Sequence, residues 1–263
     1  TRFKCDWSSD VCSSDLPSLL QSRGDRVEVN PHDDPLDSGG ERAEVLVMQM
    51  SNGTQWNESP ASGTQWYAAS YYFPVGWGCT QTPGVEDWCA CMQFHPDNYG
   101  GSLIAMGCAD RSRTITGPQQ IWFEGSQTWD FSDNGTIMPG KWIDLVFSID
   151  WVTGQTVWYR RTQPETSWTQ VLNIVDKAML PTVSGYFKQG LYRGPTGSIK
   201  RTDVLWIGPS ARGSSFSAVE AAAFGTSNGN PTTTSASSTP SSSGSASSSS
   251  SDSNRLANWL DVL

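Results

Sequence analysis

Between residues 17 and 225 the apolar residues come in short runs rich in Val, Ile, Trp, Tyr and Phe, each cut off by Gly, Pro, Asn or Asp. Examples are WYAASYYFP (66–74), WCACMQFH (88–95), WIDLVFSIDW (142–151), TVWYRR (156–161) and VLWIG (204–208). Such runs between turn formers read as antiparallel strands. No stretch before residue 216 repeats with a helical period, and only SAVEAAAF (217–224) suits a helical turn or two. Many consecutive short strands bury their apolar faces as a sandwich or a barrel, so an all-β domain is expected over 17–225.

The ends of the chain read differently. From Thr226 to residue 253 the composition collapses to Ser, Thr, Gly, Pro and Ala, which cannot bury a core and reads as a disordered linker. Residues 254–263, NRLANWLDVL, read as a truncated tail. Residues 1–16, TRFKCDWSSDVCSSDL, resemble the translation of a sequencing-library adapter and are read as non-native. No run of 18 or more apolar residues is present, so no membrane span is expected.

Setting the first segment aside leaves Cys79, Cys89, Cys91 and Cys108. Close spacing, together with N-x-[ST] triplets at Asn52, Asn57 and Asn134, reads as two disulfides in a secreted, extracellular protein. The spacing does not form the paired C-x-x-C set of a zinc site. If PDNYGG (96–101) turns the chain back as SLIAMGC, Cys89 lies opposite Cys108, leaving Cys79 for Cys91.

The formal net charge is −9, from 17 Lys and Arg against 26 Asp and Glu. Nucleic-acid binding needs a basic footprint and is not expected. An acidic polysaccharide remains open, because a cleft can be locally basic on an acidic protein. The 13 Trp residues suit sugar binding, although most are expected to fill the core.

Three strands carry chemistry. In GYFKQGLYRG (185–194), alternation puts Tyr186, Lys188, Gly190 and Tyr192 on one face, with Phe187 and Leu191 facing a core. Gly190 then leaves a gap that a ligand could enter. A cation near a phenol favours the phenolate, so this face suits a Tyr that gives or takes a proton. In CACMQFH (89–95), strict alternation puts Cys89, Cys91, Gln93 and His95 on one face and Ala90, Met92 and Phe94 on the other. GERAEV (40–45) has an Arg and a Glu two apart, as does GDRVEV (24–29). Arg42 suits two-pronged capture of a carboxylate, whereas Arg26 reads equally well as part of a surface ladder.

These blocks, in this order, resemble the heparin-lyase-I-like and glucuronan lyase group of polysaccharide lyases (families 13 and 20), and more distantly the alginate lyases of family 7. The matching residues are Arg42-Ala43-Glu44-Val45, Gln93-Phe94-His95, and Tyr186-Phe187-Lys188-Gln189-Gly190-Leu191-Tyr192. The resemblance implies a β-jelly-roll sandwich, concanavalin-A-like, whose concave sheet binds substrate. It implies β-elimination on a uronic-acid polymer, glucuronan-like by first choice, with no required cofactor. Tyr192 would be the general acid and perform the base step too, or His95 would be the base. Gln93, Arg42, Tyr186 and Arg193 would contact the sugar acid, and Lys188 would tune Tyr192 or bind the carboxylate. The enzyme is expected to act as a monomer.

Two rivals use the same fold. A glycoside hydrolase needs two carboxylic acids across a cleft, and no strand has closely alternating acids. A lectin-like module needs the Trp residues but not Gln93, His95, Lys188 and Tyr192 together. The loop NPHDDP, with His32, Asp33, Asp34 and Asp37, could hold structural calcium but lacks EF-hand spacing; a solvated acidic loop is the stronger reading.

Overall fold

The computed structural model describes residues 24–37, 39–46, 57–78, 88–96, 104–108, 120–125, 128–176, 184–197 and 199–225. The segments read as adapter, linker and tail, and Cys79 with its expected partnership, lie outside the described residues.

The described strands are β1 (Asp25–Val29), β2 (Glu41–Leu46), β3 (Thr64–Tyr72), β4 (Trp88–Pro96), β5 (Ile104–Gly107), β6 (Trp122–Glu124), β7 (Thr128–Asp130), β8 (Trp142–Asp150), β9 (Gln155–Thr162), β10 (Thr169–Val175), β11 (Gly185–Gly194), β12 (Asp203–Ile207) and β13 (Ala211–Gly213). They form two antiparallel sheets, one ordered β1-β12-β3-β8-β9-β10 with β13 beside β3, the other β2-β11-β4-β5-β6-β7. The fold is a β-jelly-roll sandwich, as the resemblance implied and as one of the two arrangements the run pattern allowed.

The core between the sheets is largely aromatic. Phe147 and Trp158 stack at 4.0 Å from the first sheet, and Phe94 and Phe187 stack at 5.0 Å from the second. Tyr67 meets Phe94 edge-on at 5.2 Å and so joins the two layers. Trp151 and Trp158 are fully buried in this core.

β8 is buried along both faces up to Ser148, which explains why WIDLVFSID reads as a nearly continuous apolar run. Its outer face is covered by the helix α1 (Phe216–Phe224), capped by Ser215. Val219 and Ala223 pack there on Ala68 and Val146. Beside them Arg161 pairs with Asp144 at 3.0 Å and lies over the Trp168 ring, whose indole N–H donates to Glu220. The helix covers the outer face of the first sheet over β3, β8 and β13.

Two carboxylates of the acidic loop hold donors of the chain itself. Asp33 accepts from the Asn30 amide, and Asp34 accepts from the Gly39 amide and the Thr196 hydroxyl. Among the described residues no three His, Cys, Asp or Glu side chains gather as a metal site.

Candidate active site on the outer face of the second sheet

β11 is flanked by β2 and β4, so its outward side chains meet those of both neighbours. Tyr186 lies opposite His95, Lys188 opposite Gln93, and Tyr192 opposite both Ala90 and Arg42. Phe187 and Leu191 point into the core, as alternation requires. The structure therefore brings Tyr186, Lys188, Tyr192, Gln93, His95 and Arg42 onto one face.

Alternation fails on β4, and the failure is informative. Ala90 pairs with Gly107 and Met92 with Met106, so one extra residue, Cys91, is bulged out of register. The bulge advances the phase by one. Cys89 and Cys91 therefore face the core together with Met92 and Phe94, while Gln93 and His95 face outward. The cysteines are not face-mates of Gln93 and His95, as strict alternation had them. The Cys89 and Cys108 sulfurs do face each other, 3.1 Å apart.

Tyr192 is clamped. The Arg42 guanidinium carbon lies 3.9 Å from the ring centroid, and Trp88 meets the ring at 4.2 Å and 69°. Gly40 backs the pair so closely that a Cβ there would fall 2.4 Å from Tyr192 and 2.6 Å from Trp88. Neither Trp88 nor Gly40 was found by sequence reasoning. Trp88 acquires its role only through register, lying opposite Gly194 two residues beyond Tyr192. Lys188 does not partner Tyr192 first. Its Nζ donates to Glu44 at 2.9 Å and stands 5.5 Å from the Tyr192 ring. Glu44 also lies 3.8 Å from Arg42 and joins the two cations.

Two expectations are corrected. Arg193 does not reach this face: it is fully buried on the inner side of β11, held by Glu41 at 2.8 Å and by Asp203. Strand parity alone puts it there, one residue past Tyr192. Gly190 does not open a gap for a ligand. A Cβ on it would lie 2.2 Å from the Ala43 carbonyl, and its φ is +149°. The space belongs to the backbone of β2.

The family model for polysaccharide lyases matches residues 9–208. The chain belongs to the polysaccharide lyase family. Comparison with curated proteins finds no match. Among solved structures the lyase is similar to the catalytic domain of a glycoside hydrolase family 131 protein from Coprinopsis cinerea (12% identity, TM-score 0.49, covering 73% of this chain and 70% of that one). It is also similar to an alginate lyase from Klebsiella pneumoniae (11%, 0.40, 72% and 74%) and to an exolytic alginate lyase from Zobellia galactanivorans (10%, 0.37, 75% and 97%).

The electrostatics of this face set what the lyase can do near neutral pH. Burial lowers the pKa of His95, and the charge of Lys188 lowers it further, so the imidazole is held neutral. Its Nδ1 lies 2.9 Å from the Pro96 carbonyl. A carbonyl only accepts, so Nδ1 carries the hydrogen and Nε2 keeps the basic lone pair. Burial also lowers Lys188, against the opposing pull of Glu44. Gln93 is 2% exposed, and its Oε1 has no hydrogen-bond partner. A buried acceptor left unsatisfied costs about 1–3 kcal/mol, so a ligand hydroxyl that donates to it gains correspondingly.

Proposed function

We propose that the lyase cleaves a uronic-acid polymer, polyglucuronate by first choice, by β-elimination at this face. The observation that carries the reading is the gathering of Tyr192, His95, Gln93, Arg42 and Lys188 on one outward surface. In the reaction a base takes the C5 proton of the uronate, the C4–C5 double bond forms, and the C4–O4 bond breaks as an acid protonates O4. The atoms balance without water or a redox partner. The C5 proton is poorly acidic beside an ionised carboxylate, so preorganised donors must stabilise the charge that spreads into it.

Arg42 and the Gln93 side-chain N–H supply those donors in this reading, Gln93 Oε1 accepts from a sugar hydroxyl, and Tyr186 lines the same surface. Where C5–H and O4 lie on opposite sides of the sugar, neutral His95 takes the C5 proton. Tyr192, with a guanidinium stacked on its ring, gives the proton to O4. Where C5–H and O4 lie on the same side, as in glucuronate, Tyr192 performs both transfers. We further propose secretion. The facing Cys89 and Cys108 suit closure into a disulfide in an oxidising compartment, and Asn57 and Asn134 are exposed in their sequons.

The test is incubation with polyglucuronate, alginate and heparin while following the ultraviolet absorbance of unsaturated uronyl ends. Absorbance should appear, fastest on polyglucuronate. Reducing ends released from a neutral glucan, with no absorbance on any polyuronate, would overturn the reading in favour of a hydrolase. Tyr192→Phe should lower kcat by about 10²–10⁴-fold. Full activity in that variant would remove Tyr192 from the chemistry.

A further inference from the structure

Along β11 the surface beyond Tyr192 is closed by Trp88, but across the strands it opens onto small residues. Tyr192 lies opposite Ala90, Ala90 opposite Gly107, and Gly107 opposite Trp122. In the neighbouring row Gln93 lies opposite Ala105. The floor between β4 and β6 is therefore Ala90, Ala105 and Gly107.

At the end of this floor stands an aromatic ring. Phe123 is buried in the core, so Trp122 beside it faces outward. Its indole leans back over Gly107: a Cβ there would lie 2.0, 2.2 and 2.6 Å from its Cε2, Cζ2 and Nε1 atoms. Gly107 needs no unusual φ, so the glycine serves to seat the ring. Trp122 remains only partly buried. Two strand spacings, roughly 10 Å, separate Tyr192 from Gly107, a span of about two linked pyranose rings.

We propose that Trp122 is the stacking platform of an outer sugar subsite, about two residues along the polymer from the bond cleaved at Tyr192. This deepens the lyase reading above and rests on it. A pyranose presents C–H groups on its faces, which an indole covers while the ring hydroxyls stay in water. The polymer then runs across the strands from Tyr192 over Ala90 and Gly107, and Trp122 selects for chain length rather than for the chemistry of the cleaved residue.

The experiment is a length series of glucuronate oligosaccharides from tri- to hexasaccharide. In the native protein kcat/KM should climb with length. Trp122→Ala should raise KM for the hexasaccharide roughly five- to tenfold, keep kcat, leave the shortest cleaved oligomer unchanged, and so flatten the series. Trp122→Phe should restore part of the climb. Equal losses at every length, or an unchanged climb, would overturn the proposal. If the native protein cleaves no polyuronate, the lyase reading fails. Calorimetric binding of the hexasaccharide then decides the subsite alone: equal affinity in native protein and Trp122→Ala, or binding by neither, would sink it.

Discussion

Two ion pairs join the same two strands and have opposite fates. Arg193–Glu41 lies on the inner face of β2 and β11, and Lys188–Glu44 on the outer face. Inside, every charge is committed. Arg193 spans Glu41 and Asp203 and so ties the second sheet to β12 of the first. The other oxygen of Glu41 accepts from the amides of His32 and Gly197, and Asp203 also holds Arg201. Outside, Lys188 makes a single contact to Glu44, beside a neutral His95 and an amide oxygen with no partner. Arg suits the inner task because its planar fork serves two carboxylates at once, whereas a lysine ammonium is a point charge that can change partners. A cation shared between two buried carboxylates makes a bolt; a lysine with one carboxylate partner, beside an unpartnered amide oxygen, leaves capacity for substrate.

The largest expected effect breaks the bolt. Arg193→Ala leaves Glu41 and Asp203 buried without their cation and should cost about 3–5 kcal/mol, read as a drop in the denaturant midpoint. Lys188→Gln, at the half-open site, should lose much less stability. A normally stable Arg193→Ala that merely bound polyuronate poorly would return Arg193 to the substrate. Gly190→Ala comes next. It forces a side chain into the Ala43 carbonyl at a φ reserved for glycine and should destabilise by about 1–3 kcal/mol. Native stability with impaired substrate binding would instead mean that the position is the ligand gap alternation suggested.

The same contrast explains what could be read from the sequence. Run lengths and turn formers carried the all-β fold, and β11 kept strict alternation, so its outward triad was legible. The β4–β5 hairpin was legible too, with Cys89 across from Cys108. The Cys91 bulge was not, because an extra residue leaves no mark in a run whose members are all apolar or small. Arg193 was misplaced because the motif ends beside it and parity was not carried one residue further. The clamp on Tyr192 joins Gly40 and Arg42, two residues apart, to Trp88 and Tyr192, which lie far along the chain from them and from each other, and only strand register brings these three segments together.

The smallest expected effect is the most discriminating. In the folded protein the pKa of His95 lies below the ordinary value of 6.5, chiefly through burial and then through the Lys188 charge. The unfolded chain therefore takes up this proton first as pH falls, and folded stability declines through that range. If neutral His95 is the base, activity also falls as pH drops through the depressed folded pKa. Lys188→Gln removes one depressing charge and leaves Glu44, which acts in the opposite direction, so the acid limb of kcat/KM should move to higher pH. A limb that stays in place while activity drops would take the base role from His95 and give it to Tyr192. The shift thus measures whether the outer ion pair only binds the sugar or also sets the protonation state of the base beside it.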